Sequence, residues 1–115
     1  MRASDYVDLV RRLTASLGPT LVSTLAGAED TRAAMAWQGQ DASHPDNEQM
    51  KRLQCAATVW RTVSDAEGDQ VARLWFVGAN PFLRDGDTVI TAIREGRFDE
   101  VLNAAQALVD DSFSG

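Results

Sequence analysis

Trp75–Ala105, WFVGANPFLRDGDTVITAIREGRFDEVLNAA, decides the fold. The loop Gly78-Ala79-Asn80-Pro81-Phe82-Leu83 leads into a short helix. That helix starts at Asp87 or Thr88, with Val89, Ile90 and Ile93 inward, and Gly96 ends it. A second helix begins near Phe98 and carries the stripe Phe98, Val101, Leu102, Ala105, Leu108, Val109. Asp99 and Glu100 lie in its first turn, where the positive helix end favours carboxylates.

Upstream, the same 3.6-residue period recurs. Tyr6, Leu9, Val10, Leu13 and Leu17 share one face of a helix stopped by Gly18-Pro19. Pro19 suits the first position of the next helix, whose inward positions are Leu21, Val22 and Leu25 and which Gly27 closes. Asp30 is the expected cap of a third helix, Thr31 to about Gln38. Residues 40–47 are polar, include Pro45 and read as a loop. Asp46 with Gln49 then predicts a capping box for a fourth helix with Met50, Leu53, Ala57, Trp60 and Val63 inward. Residues 64–69 read as a second loop and as the best boundary, and Val71, Leu74 and Trp75 define a fifth helix. No strand-like alternation is present, so the expected class is all-α. The chain reads as one unit, or as two lobes sharing a core: a helix-turn-helix-like region over 1–63 with a long connecting helix, and a C-terminal helical domain over 64–115.

At 115 residues and 44% hydrophobic content the chain suits a globular fold rather than disorder. The single cysteine, Cys55, excludes an internal disulfide and a cysteine-rich zinc site. No apolar run approaches the roughly 20 residues needed to span a bilayer and no secretory leader is evident, so the cytoplasm is the expected compartment. Residues 1–61 hold seven basic and seven acidic groups, whereas 62–115 hold four basic and ten acidic, which is the whole net charge of −6. An acidic C-terminal half suits a basic protein partner and disfavours DNA; plain solubility is the simpler account.

Little in the chain could carry catalysis. His44 is alone in a polar loop, and Cys55 reads as a small core residue. No nucleophile–base set, phosphate loop or dinucleotide fingerprint is present. We therefore expect no enzyme, no cofactor and no metal. The second and third helices have the size of a helix-turn-helix, and Thr31, Arg32, Ala34, Met35 and Gln38 would be the outward, DNA-facing side chains. Three packed helices without DNA are the plainer alternative. In the C-terminal half, Phe82 and Leu83 either meet a partner or cap the domain's own core, while Arg84 favours an interface. Phe113, in the polar terminus, either frays into solvent or inserts into a partner.

The order Asn80-Pro81-Phe82-Leu83, Gly86, amphipathic helix, then Gly96-Arg97-Phe98-x-x-Val101-Leu102, resembles the toxin-binding domain of the MbcA/ParS/Xre antitoxin family. Trp37-x-Gly39 followed by Pro45 is similar to the segment that closes the recognition helix there, with Trp37 packing that helix onto the core. Ala36 stands where those proteins often carry a basic residue, and Val89 near their usual proline. The resemblance implies the antitoxin of a type II toxin–antitoxin pair. Such a chain sterically blocks the active site of a RES-domain toxin that degrades NAD, acts as a homodimer and binds its own operator DNA. Asn80, Pro81, Phe82, Leu83, Arg84, Gly86, Arg94 and Phe113 are the implied toxin-binding positions. A stand-alone dimeric helix-turn-helix regulator is the alternative.

Overall fold

The computed structural model describes the backbone of residues 3–39 and 43–114 and the side chains of residues 6–39 and 43–111. Among these residues the chain is all-α. It comprises α1 (Ala3–Leu17), α2 (Pro19–Leu25), α3 (Ala33–Ala36), α4 (Asn47–Glu67), α5 (Asp69–Val77), a 3₁₀ turn (Arg84–Gly86), α6 (Val89–Arg94) and α7 (Phe98–Ser114).

The axis of the molecule is α4. Its start follows from local chemistry: Asp46 Oδ1 accepts the Gln49 N–H, and Gln49 Oε1 accepts the Asp46 N–H, both at 2.8 Å. This is the expected capping box. The helix packs most extensively against α7 and α5, and also against α1, α2 and α6. Being covered on several sides, it buries a wide arc: Leu53, Cys55, Ala56, Val59 and Val63. Of the stripe expected from sequence, Leu53 and Val63 are buried, whereas Met50, Ala57 and Trp60 are half-buried at the edge of this arc and Cys55, Ala56 and Val59 lie inside it.

The expected loop over residues 64–69 does not exist. α4 continues to Glu67, and Gly68 alone joins it to α5. The Gly68 N–H closes α4 on the Ser64 carbonyl at 2.8 Å, and the Gly68 carbonyl accepts the Ala72 N–H at 3.0 Å to open α5. Gly18 makes the same joint between α1 and α2, with its N–H on the Thr14 carbonyl and its carbonyl on the Val22 N–H. Both glycines have φ near +90° and extended ψ (φ 89, ψ 154 at Gly18; φ 91, ψ 162 at Gly68), a region essentially reserved for glycine. A one-residue joint also fixes the rotation of α5 about its own axis. Ala72 and Phe76 face inward, and Trp75 is half-buried. Val71 and Leu74, expected inside, are exposed along with Val77; Leu74 is 68% exposed. Phe76 sets this choice, because its fully buried ring packs between Trp60 (centroids 5.8 Å) and Trp75 (5.7 Å).

The third helix is also shorter than expected. Asp30 is not its N-cap; the side chain instead bonds the Arg32 N–H at 2.8 Å in an Asx turn, and only Ala33–Ala36 is α-helical. In α7 the buried line is Val101, Ala104 and Ala105, with Leu102 at the surface. That helix continues through the expected polar tail as far as Ser114.

A single cluster of buried side chains runs from Val10 to Ala105 and draws on both halves of the chain. The expected boundary at 63/64 falls inside α4, and α2 packs on α6 across it. No helix among the described residues is long and apolar enough to cross a membrane.

Candidate protein-docking site

The loop between α5 and α6 is built around one asparagine. Asn80 is 2% exposed. Its N–H donates to the Asp87 carbonyl (3.1 Å), its carbonyl accepts the Leu83 N–H (3.1 Å), and its Oδ1 accepts the Phe82 N–H (2.9 Å). One residue thus ties both ends of the loop and its crown. Two further turn bonds, Gly86 N–H to Leu83 carbonyl and Asp87 N–H to Arg84 carbonyl, complete the 3₁₀ turn. Asp85 takes the left-handed conformation inside it (φ 58), which Asp tolerates better than most residues. Thr88 then caps α6, its Oγ1 accepting the Thr91 N–H at 3.1 Å. Val89, Ile90 and Ile93 are buried as expected. Gly96 closes α6 in a Schellman motif: its N–H reaches the Ile93 carbonyl and the Arg97 N–H reaches that of Ala92, both at 2.9 Å.

This architecture sorts the eight residues implied as toxin-binding. Asn80 and Leu83 are buried and shape the loop from beneath; the Asn80 Oδ1 is bonded within the loop, while its buried Nδ2 has no hydrogen-bond partner among the described residues. Phe82 is 47% exposed, and Pro81, Arg84, Gly86 and Arg94 also lie at the surface. Arg84 Nη2 is 3.3 Å from Glu100 Oε2 on α7. The backbone of residue 113 belongs to α7, but the Phe113 side chain lies outside the described residues.

Arg97 was not among the expected site residues, yet it holds the site together. Its side chain is 13% exposed, and its Nη2 meets Asp87 Oδ2 at 2.5 Å. Nη1 meets Glu100 Oε1 at 3.4 Å, and Nε lies 3.1 Å from Glu95 Oε1 without hydrogen-bond geometry. The hydrogen bond that Arg97 donates to Asp87, with the nearby Glu100 and Glu95 charges, raises the Arg97 pKa above its usual value against a smaller opposing effect of burial. The end of the loop, the end of α6 and the start of α7 are therefore joined at one guanidinium. The sequence signal was its place directly after the helix-closing Gly96.

The DNA-facing set is dispersed by the structure. Ala34 is fully buried, and its N–H donates to Ser23 Oγ at 2.9 Å, so it is not an outward residue. Ser23 is itself buried, with its Oγ 2.8 Å from the Pro19 carbonyl and 3.0 Å from that of Thr31, and it pins α3 to α2. Gln38 is half-buried and turned back onto Thr14 Oγ1 (3.3 Å) and the Ala34 carbonyl (3.1 Å). Thr31, Arg32 and Met35 remain exposed. Arg32 is paired with Asp30 at 3.2 Å, and that side-chain hydrogen bond lowers the Asp30 pKa. Trp37 is buried, packing the α3 turn onto the core. His44 is exposed beside Tyr6, with ring centroids 6.4 Å apart. No metal-holding group of three or more His, Cys, Asp or Glu occurs among the described residues.

No protein-family model, curated protein or solved structure matches this chain.

Proposed function

We propose that this chain is an antitoxin: a protein inhibitor that seats its α5–α6 loop on a RES-domain, NAD-degrading toxin and blocks the substrate route sterically. One observation carries the reading. Phe82 stands half in water on a loop whose adjacent Leu83 and central polar residue, Asn80, are buried and hydrogen-bonded to the loop. An exposed aromatic on a pre-shaped backbone loses little freedom on binding, and aromatic and arginine residues dominate interface energetics. Arg84 beside it is held only by an exposed ion pair, worth about 0–1 kcal/mol, so exchanging Glu100 for a partner's carboxylate costs little. The acidic C-terminal half suits a basic rim around a pocket for an anionic dinucleotide.

Operator binding by the same chain, the other half of the resemblance, draws less support. α3 is a single turn with one arginine at its start, and that arginine is engaged by Asp30.

The test is NAD degradation by a cognate RES-domain toxin, with and without the chain. Stoichiometric inhibition and a co-purifying complex are expected. Phe82→Ala should weaken the complex by roughly 2 kcal/mol or more, about thirtyfold, and Arg84→Ala by less. Full inhibition by both variants would exclude this loop as the contact.

A further inference from the structure

A second feature lies away from the α5–α6 loop. Between α1 and α4 runs a half-open groove of about 630 Å³, within the roughly 300–1,000 Å³ of small-molecule sites. Leu9 and Leu13 from α1 and Ala57 and Trp60 from α4 give it an apolar lining. Each helix also contributes one exposed arginine, Arg12 and Arg61. Neither meets a carboxylate among the described residues, in a chain whose acidic groups outnumber its basic ones 17 to 11. The one acidic residue of the lining, Asp8, is already paired with Arg11 at 3.0 Å. At the end of α1, Arg73 reaches across from α5 and donates its Nε–H to the carbonyl of Ser16, another lining residue, at 3.0 Å. That bond places a third guanidinium beside the groove.

We propose that this groove binds a small organic anion: a flat apolar ring system bearing a phosphate or carboxylate. The ring would lie against Trp60 and the leucines, and Arg12 and Arg61 would take the anionic group from opposite walls. Paired guanidiniums suit planar or tetrahedral oxyanions, and both arginines are exposed. Two facts favour a small anion over a nucleic-acid backbone. An apolar lining adds nothing to phosphate contacts, which are made at polar, hydrated surfaces. A long polyanion would also pass over the rest of a surface of net charge −6, whereas a small one senses only charges within a Debye length of about 8 Å.

The test uses the full chain and 1-naphthyl phosphate as probe, by titration calorimetry at moderate salt. Saturable 1:1 binding is expected. Arg12→Gln and Arg61→Gln should each weaken it at least about tenfold, and Lys51→Gln, on an exposed part of α4, should leave it unchanged. Neutral 1-naphthol and ring-less inorganic phosphate should both bind at least about tenfold more weakly than the probe. No saturable binding would overturn the proposal, as would binding that survives the double arginine variant or equal affinity for 1-naphthol. Duplex DNA binding that is lost in the double variant, without any affinity for the probe, would also overturn it and make the arginines backbone contacts.

Discussion

Asn80 shows how one buried amide organises a loop whose visible residues are others. Asn80→Ala removes the acceptor for the Phe82 N–H and leaves a void at a position 2% exposed. A loss of about 1–3 kcal/mol is expected, read from the urea midpoint. The sequence pointed to Asn80-Pro81 but not to its burial, because an Asn in a turn is equally at home in water and only tertiary packing encloses it. Cys55 was legible as a core residue. Burial raises its thiol pKa to about 11 from an ordinary value of 9.0. The folded chain therefore holds this proton where the unfolded chain has released it, so stability present below pH 9 declines as pH rises toward 11. Cys55→Ala should flatten that decline in thermal melts taken between pH 8 and 11. At pH 8, iodoacetamide should modify wild-type Cys55 far faster in urea than in buffer.

At the scale of elements, helix existence was readable and helix phase was not. Periodicity, Pro19 and the Asp46–Gln49 box all mark real helices. The third helix contracted because Asp30 spends its side chain on a turn rather than a cap. α5 rotated away from Val71 and Leu74 because nothing local distinguishes its two apolar faces. Phe76, buried between Trp60 and Trp75, selects the inward face, and Gly68, the single residue between α4 and α5, leaves no slack to choose another. Gly68→Ala meets no atom within 4 Å of the added carbon, so its cost is purely that of backbone conformation. A loss of about 1–3 kcal/mol is expected, whereas Ala66→Gly, two residues earlier at the surface of α4, should cost about 1 kcal/mol or less. Equal urea midpoints for Gly68→Ala and wild type would show that the joint can relax elsewhere.

For the whole molecule, a core shared by the two halves predicts that they unfold together. Far-UV circular dichroism reports all the helices, while tryptophan fluorescence reports Trp37 in one half and Trp75 in the other, with Trp60 between them on α4. The expected result is one unfolding transition with coincident midpoints by both probes; separated midpoints would restore two lobes. Division into lobes was the natural reading of residues 64–69, since Ser, Asp, Glu and Gly together usually make a loop. Here the first of them complete a helix and the glycine turns it. Val71, Leu74 and Val77, recurring at three-residue intervals along the outside of α5, remain in water as a result. Their hydration carries a heat capacity. A partner that covers them would form its complex with a negative heat-capacity change, so the association enthalpy would become more favourable with each degree of warming. The slope of that enthalpy against temperature reports the apolar surface buried over the whole interface, and its change in a Leu74→Ser variant isolates the share that this side chain of α5 contributes.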